Sequence, residues 1–273
     1  MDREVFNRFR DIVHAEAGIS LGEEKQSLLA NRISKRLTKL GLKSEREYLE
    51  IIETDLNGLE MLQLIDAIST NVTYFWRESA HYDFYSNELK RLLLERREIK
   101  VWCAASSSGE EPFCLAAVAH MRMKEAGGGS PAKNGSVKIL GTDISTKVLA
   151  IANTGLYDPK QLRDTPADLT KKYFPIRRIE NEERVVVAQE LRDMVTFKKL
   201  NLSRMPFPLK GNLDFIFCRN VMIYFDKALR EKIVDEFTRL LRPEGFLVIS
   251  HSENLMGLQH SLKSTQPGVY QRC

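Results

Sequence analysis

The sequence predicts an α/β protein of the doubly wound class that follows an all-helical N-terminal domain. After about Ile99, β-branched and aromatic runs alternate with helical segments, an order that favours a mostly parallel sheet with crossover helices. Before about Thr70, apolar residues recur three and four positions apart, which is typical of helices. A chain of 273 residues, 43% of them hydrophobic, is long enough for one sizeable core and a second, smaller domain.

The N-terminal elements are predicted from helical periodicity. It runs through "FNRFRDIVHAEAGI", "KQSLLANRISKRLTKLG" and "EREYLEIIE", and Gly41 is placed as a helix stop. We therefore divide the chain into a helical domain at residues 1–75, a linker helix at 76–95 and an α/β domain at 96–273.

The α/β domain contains strand patterns at "IKVWCAA", "VKILGTDI", "LDFIFC", "GFLVIS" and "GVYQRC". The segment "GGGSPAKNGS" at 127–136 is expected to be a flexible surface loop. The runs "YFPIRRIE", "RVVVAQE" and "MVTFKKL" predict a small antiparallel β-subdomain, inserted at about 173–200.

Positive charge is concentrated between Lys25 and Arg46, with seven basic residues against one acidic residue. Basic side chains recur there at helical spacing opposite Leu29 and Ile33. They form a basic helix face, at about residues 25–40, that comprises Arg32, Lys35, Arg36 and Lys39. One interpretation is an acidic partner, and the other is a solvated face without a specific partner. The net charge of +4 is too small for a dedicated nucleic-acid binder.

Composition also limits the location and the chemistry. No apolar run approaches the ~20 residues of a membrane helix, and the first thirty residues are charged throughout. We therefore expect a cytoplasmic protein. The four cysteines have no C-x-x-C spacing, so we expect free thiols and no metal site.

The turn Ala104–Pro112, "AASSSGEEP", lies between the first predicted strand and a helix. Phosphate-binding turns at this place carry G-x-G-x-x-G or G-x-x-x-x-G-K-[ST], and neither motif is present. Glu110 and Glu111 stand at the helix start instead, where they suit the helix dipole but would repel a phosphate. A cationic ligand fits better, and the alternative is that both glutamates only cap the helix.

Asp143 ends the second predicted strand, where a carboxylate can accept hydrogen bonds from both hydroxyls of a ribose. It follows Gly109 by 34 residues, more than the ~20 usual in dinucleotide folds, and the loop at 127–136 accounts for the excess. A free ribose, no phosphate and a positively charged tail together describe S-adenosylmethionine.

Two further segments are predicted to line the same site. "CRNVMIYF" places Arg219 and Asn220 just past an apolar strand, with Tyr224 shortly after them. "TNVTYFWRE", at 70–78, interrupts an aromatic run with polar residues, although the aromatics alone would also suit the packed start of a helix. Hydrolase chemistry is excluded, because the His, Ser and Glu of "HSENL" are too close in sequence for a triad and no G-x-S-x-G elbow exists.

The motifs resemble those of the CheR family, the bacterial chemotaxis receptor methyltransferases. They occur in the family's order and approximate spacing over nearly the whole chain: "TNVTYFWRE", "WCAASSSGEEP", "GTDIS", "NL", "FCRNVMIYF" and "HSE". The resemblance implies a Rossmann-like domain that transfers a methyl group from S-adenosylmethionine to specific glutamates on chemoreceptor helices. The products would be glutamate methyl esters and S-adenosylhomocysteine.

The resemblance also implies roles for individual residues. The positions that match cofactor-binding residues are Asn71, Thr73, Arg77, Glu111, Asp143, Asn201, Leu202, Arg219 and Asn220. Tyr224 matches a tyrosine near the transferred methyl, and we expect Arg77 and Arg219 to join it in catalysis. The basic face resembles the receptor-facing helix, which favours substrate contacts by Arg32, Lys35, Arg36 and Lys39. The β-subdomain resembles one that binds a receptor tail peptide in some members.

Phe113 and Cys114 depart from the family's "CSTGEEPYS" pattern, and we expect them to alter packing more than chemistry. Two other functions remain open at this point. An RNA or DNA methyltransferase would have a similar cofactor site, but the [DNS]-P-P-[YF] element of base-amine methylases is missing. A sensory or scaffold module would bind S-adenosylmethionine without turnover.

Overall fold

The computed structural model describes residues 1–95, 98–126 and 136–273. The predicted loop at 127–136 lies outside the described residues except for Ser136, which begins a strand. Within the described ranges, no helix is both long and apolar enough to cross a lipid bilayer.

The N-terminal part is a helical bundle, as predicted. Its helices are α1 (Arg3–Ala17), α2 (Gln26–Leu40), α3 (Glu45–Glu53) and α4 (Leu59–Ile68). Gly41 ends α2 with a left-handed φ of 69°, which confirms it as a helix stop. The apolar faces of the helices meet in one core around Phe9, Ile33, Tyr48 and Leu64.

The α/β part confirms the predicted alternation of strands and helices. It contains α5 (Ala80–Glu95), β1 (Glu98–Cys103), α6 (Glu110–Ala126), β2 (Ser136–Asp143), α7 (Thr146–Thr154), β3 (Leu156–Tyr157), α8 (Ala167–Tyr173), β4 (Ile176–Ile179), β5 (Glu182–Val186), α9 (Gln189–Arg192), β6 (Val195–Lys199), β7 (Leu213–Cys218), α10 (Lys227–Leu240), β8 (Leu241–Ile249), β9 (Leu262–Gln266) and β10 (Val269–Arg272).

The main sheet has the strand order β6-β2-β1-β7-β8-β10-β9 in the described residues. The first five strands in this order are parallel, and β10 pairs antiparallel with both β8 and β9. Every residue of β7, "LDFIFC", is buried, as expected of a central parallel strand that is covered on both faces. Two apolar clusters cover the two faces, one around α5 and α6 and the other around α10.

The third run of the predicted β-subdomain was placed in the wrong sheet. "MVTFKKL" contains β6, which pairs parallel with β2 at the edge of the main sheet. The small antiparallel sheet has the order β3-β5-β4 instead. The reason lies in packing: a Cβ atom on Gly141 of β2 would stand 2.7 Å from the Phe197 ring, so glycine makes room for that aromatic of β6. Phe197 packs on the core below the main sheet.

The carboxyl ends of β1, β2 and β7 meet at one edge of the sheet, and the N-terminal part closes over it. Ile19 forms a β-bridge with Phe225, and the Ser20 N–H donates to the Tyr224 carbonyl at 2.8 Å. The Asn201 amide donates to the carbonyl of Glu16 at the end of α1, at 2.6 Å. The edge where parallel strands end is therefore covered by the helical bundle.

Candidate functional site

A cavity of about 290 Å³ lies at the carboxyl ends of the strands, between the two parts of the chain. All ten residues predicted for cofactor binding or catalysis line it: Asn71, Thr73, Arg77, Glu111, Asp143, Asn201, Leu202, Arg219, Asn220 and Tyr224. The sequence reasoning missed Lys25 and Leu28 of the α2 region, which also line the cavity. No local pattern marks these two, because only the docking of the helical bundle brings them there.

Asp143 ends β2 with a carboxylate that is held by backbone groups. Its Oδ2 accepts from the Ser107 N–H at 2.9 Å, and its Oδ1 accepts from the Ser145 N–H at 2.9 Å. Burial raises the pKa of Asp143, although these backbone donors act in the opposite direction. A carboxylate oxygen has two lone pairs, so each oxygen of Asp143 can still accept one bond from a ligand hydroxyl.

Arg219 follows β7 and lies between two carboxylates. Its Nη1 donates to Glu111 Oε1 at 2.8 Å, and its Nη2 stands 3.3 Å from Glu78 Oε2. Nη2 also donates to the backbone carbonyl of Arg77. Burial alone would lower the pKa of Arg219, but Glu111 and Glu78 raise it above its ordinary range. Arg219 thus fixes Glu111 at the cavity wall and joins it to the segment that carries Arg77.

The "TNVTYFWRE" segment packs Phe75 and Trp76 against the core of the α/β part. Phe75 is fully buried and its N–H donates to the Gln161 carbonyl at 3.0 Å, while Trp76 stacks on Tyr82 at 4.6 Å. The Arg77 guanidinium donates to the Val72 carbonyl at 2.9 Å. Phe75 and Trp76 thus hold an irregular segment rather than a helix start, and Tyr74 lines the cavity together with the polar residues Asn71, Thr73 and Arg77.

One of the departures from the family pattern has a packing role. The buried Cys114 Sγ accepts a hydrogen bond from the Trp76 N–H at 3.3 Å. Burial raises the pKa of this thiol to about 12, so it remains protonated at neutral pH. Cys114 therefore supports the Trp76 backbone.

Asn201 lines the cavity, but its side chain bonds to groups that do not. Its Nδ2 donates to the Glu16 carbonyl, and its Oδ1 accepts from the Ser203 N–H at 2.9 Å. In this structure the amide joins the two parts of the chain.

The four basic residues predicted to contact the substrate are not equally placed. Arg32 donates to the carbonyls of Ala67, Ile68 and Ser69 at the end of α4. Helix ends leave carbonyls without partners, and Arg32 supplies donors to them. Its charge is therefore engaged inside the helical bundle.

Arg36 is likewise engaged, in a bidentate pair with Glu60 at 2.9 and 2.6 Å, and its side chain is 12% exposed. Among the four predicted substrate-contacting residues, only Lys35 and Lys39 are exposed. The expected basic face is thus narrower than helical spacing suggested.

Glu78, His81 and His251 bring three ligand-type atoms within 4.8 Å of one another. The oxygens of Glu78 already accept from the Ser250 hydroxyl at 2.8 Å and the His251 N–H at 3.2 Å, and Arg219 lies beside them. Burial and the nearby guanidinium lower the pKa of His81 to about 4. A divalent cation here would face Arg219 at close range, so we assign the cluster to the ion-pair network of Arg219.

Glu110 is a fully buried carboxyl next to the cavity turn. It accepts from the Ser108 hydroxyl at 2.9 and 2.8 Å and from the Gln161 amide at 2.6 Å. Burial raises its pKa from the ordinary value of 4.5 to about 7, against the effect of these hydrogen bonds. The folded protein therefore keeps a proton at Glu110 that the unfolded chain loses above pH 4.5.

Glu110→Gln should therefore flatten the pH dependence of stability. Because the native state binds the extra proton, stability falls as pH rises from about 4.5 to about 7, by about 3 kcal/mol for this group. Urea unfolding at pH 5, 6, 7 and 8 should show a smaller decline for Glu110→Gln than for the wild type. The exposed Glu190→Gln is the matched control and should follow the wild type. Equal declines for Glu110→Gln and the wild type would contradict the assignment.

The charged and polar side chains of the cavity fit S-adenosylmethionine. Asp143 suits the two ribose hydroxyls, Glu111 suits an ammonium group, and Arg77 suits a carboxylate. Apolar side chains, Ile144, Leu200 and Leu202 among them, line the cavity beside these charges and suit an adenine ring.

Two family models match the chain. The model described as "CheR methyltransferase, SAM binding domain" matches residues 71–270, and the model described as "CheR methyltransferase, all-alpha domain" matches residues 4–69.

Named relatives are similar over nearly their whole length. The chemotaxis protein methyltransferase of Borreliella burgdorferi is 38% identical, and the match covers 99% of this chain and 94% of the relative. Chemotaxis protein methyltransferase 2 of Pseudomonas aeruginosa is 37% identical over 98% of this chain and 92% of the relative. The chemotaxis protein methyltransferase of Escherichia coli is 35% identical over 97% and 89%. The similarity runs through both parts of the chain.

Proposed function

The chain belongs to the CheR methyltransferase family, as its motifs predicted, and on this basis we propose that it methylates glutamate side chains in the cytoplasmic helices of chemotaxis receptors. It is an S-adenosylmethionine-dependent methyltransferase. The observation that carries the proposal is that the carboxylates of Glu111 and Asp143 line the same cavity as Tyr224. The reaction would give a glutamate methyl ester and S-adenosylhomocysteine and would serve sensory adaptation.

The proposed reaction needs alignment more than acid–base help. A glutamate at pH 7 is already an ionised nucleophile, and the bound cofactor supplies a methyl group on a positively charged sulfur. Holding the two reactants at near-attack distance can supply about 7 kcal/mol or more of the barrier. Because opposite charges combine in the transition state, a site that excludes water and does not over-stabilise the free carboxylate favours transfer.

The residues of the cavity divide this work by their chemistry. Asp143 would hold the ribose, and Glu111, fixed by Arg219, would hold the amine of the methionine tail. Asn71 and Arg77 would hold the carboxylate of that tail, while Thr73, Asn201, Leu202 and Asn220 complete the cofactor wall. Tyr224, with Arg219 nearby, would orient the methyl group and the incoming glutamate.

The proposed partner is the cytoplasmic part of a methyl-accepting receptor, and we place the protein in the cytoplasm with it. Lys35 and Lys39 on α2 are the exposed cations of the predicted face and would attract an acidic receptor helix. The small sheet β3-β5-β4 is a second proposed contact, for a receptor tail peptide.

Lys35→Glu combined with Lys39→Glu should slow receptor methylation at low salt by about 10-fold or more, because like charges then meet at encounter. The effect should shrink as salt rises, since exposed charges are screened. Initial methylation rates at several salt concentrations measure it.

The matched comparison is Arg36→Glu. It removes the pair with Glu60, so it should reduce stability rather than produce a salt-dependent rate defect. Wild-type rates for the double lysine variant at low salt would instead support a solvated face without a partner.

The proposed function is tested by incubating the protein with a radiolabelled methyl donor and either receptor cytoplasmic fragments or RNA. Label on receptor protein that is released by mild alkali would support a carboxyl methyl ester. Label on RNA would overturn the proposal, and so would tight cofactor binding without transfer to any receptor fragment. Receptor fragments with the candidate glutamates changed to alanine are the matched control.

A further inference from the structure

We infer that Glu253 is a positioning residue for methyl transfer: its buried carboxylate fixes the turn from Asn220 to Tyr224 and so sets the place of Tyr224 in the cavity. The inference rests on the proposed function, which assigns Tyr224 to the reacting groups. Among the described residues, those that line the cavity do not include Glu253, so Glu253 would act only through the turn.

The Glu253 carboxylate accepts three backbone hydrogen bonds. Its Oε2 accepts from the N–H groups of Asn220 at 2.9 Å and Ser250 at 3.0 Å, and its Oε1 accepts from the Val221 N–H at 3.1 Å. The residue is 8% exposed. An ionised carboxylate can accept these three bonds because both of its oxygens are acceptors. An amide has one acceptor oxygen, and its other end is an NH2 donor.

The turn needs this support because of its backbone conformation. Asn220 has a φ of 57°, in the left-handed region that residues other than glycine seldom adopt. The chain leaves β7 there, so the N–H groups of Asn220 and Val221 point away from the sheet ladder and would be costly to leave unpaired. Burial raises the pKa of Glu253, and the backbone donors oppose that rise.

Separate contacts fix the two ends of the turn. At its start, the Asn220 amide donates to the Ser250 hydroxyl at 2.7 Å, and that hydroxyl donates to Glu78. At its end, the Tyr224 carbonyl accepts from Ser20. Glu253 holds the backbone between these points, so its loss should displace the turn without releasing Arg219, which Glu111 and Glu78 hold.

Glu253→Gln is the test, because it keeps the shape but replaces one acceptor oxygen with an NH2 donor, so at least one of the three backbone N–H groups then faces a donor. Turnover should fall by about 10-fold or more, since a displacement near 1 Å can cost up to about 100-fold. Cofactor affinity, measured by calorimetry, should fall by a smaller factor than turnover, because Asn220 is the one assigned cofactor-binding residue within the turn. In the cofactor-free protein, amide hydrogen exchange should accelerate in peptides covering 219–225 and stay unchanged in peptides covering 104–111.

A double-mutant cycle with Tyr224→Phe separates positioning from general damage. If Glu253 acts through Tyr224, the combined loss of turnover should be smaller than the product of the two single losses. Fully multiplicative losses, or unchanged exchange at 219–225, would overturn the inference. Glu253→Asp serves if the glutamine variant does not fold, with the same readouts, and Glu190→Gln is the exposed control. If the wild type methylates no receptor, the proposed function fails, while the exchange result still tests the role of Glu253 in the turn.

Discussion

Arg219→Met is expected to reduce the free energy of unfolding by about 3–5 kcal/mol at pH 7, the cost of breaking a buried ion pair from one side. The variant leaves the buried Glu111 and the partly buried Glu78 without their cation, and it also removes the donor to the Arg77 carbonyl. Cofactor affinity should fall with it, because Glu111 loses the contact that fixes it. Urea unfolding followed by tryptophan fluorescence measures the first effect, and calorimetry measures the second.

The pH dependence gives this prediction a second readout. Burial would raise the pKa of Glu78, but Arg219 together with the hydrogen bonds from Ser250 and the His251 N–H lowers it. The ion pair therefore contributes stability that is present at neutral pH and lost as the carboxylate is protonated. The difference between wild type and Arg219→Met should therefore shrink as pH falls toward about 4. Arg239→Met is the control, since Arg239 forms a half-exposed pair with Glu236 and should cost at most about 1 kcal/mol. A loss as small as that for Arg219→Met would refute the role given to the buried network.

Asp143→Ala should weaken binding of S-adenosylmethionine by about 100-fold or more, because two hydrogen bonds to a charged acceptor are each worth about 1.5–3 kcal/mol. The change also removes the acceptor that orders the N–H groups of Ser107 and Ser145 at the cavity edge. Calorimetric titration with the cofactor and with S-adenosylhomocysteine measures the effect without requiring turnover.

Asp143→Asn refines the interpretation, since it keeps the volume of the side chain but loses the charge and replaces one acceptor oxygen with an NH2 donor. Its affinity should lie between those of the wild type and the alanine variant. Asp235→Ala, at an exposed position of α10, is the matched control and should bind like the wild type. Unchanged cofactor binding by Asp143→Ala would remove the ribose assignment.

The meeting of the candidate site residues at one cavity could be predicted from the sequence, because these residues stand at positions that topology determines. Asp143 and Arg219 directly end or follow parallel strands, and Glu111 stands at the start of the helix after β1. Parallel strands end at one edge of a sheet, so these residues must meet there whatever the rest of the chain does. The sign of their charges then indicated the ligand.

Predictions that depended on packing between elements were less successful. Helical spacing placed Arg32 and Arg36 opposite the apolar stripe of α2, where they were expected to face solvent. In the structure, carbonyls at the end of α4 accept hydrogen bonds from Arg32, and Glu60 of α4 forms an ion pair with Arg36. Alternation predicted β6 as a strand but could not tell which sheet it joins. The contacts of Glu253 could not be predicted from the sequence, because its partners are backbone N–H groups, which every residue except proline carries.

The bridge between Ile19 and Phe225 joins the helical part to the α/β part at the cavity wall. Since Lys25 and Leu28 of the helical part line the same cavity as Asp143, a receptor helix that shifts α2 on docking would change the affinity for the cofactor. Thermodynamic reciprocity then requires the cofactor to change receptor affinity by the same factor. In that case receptor affinity would differ between the protein with bound cofactor and the protein without it.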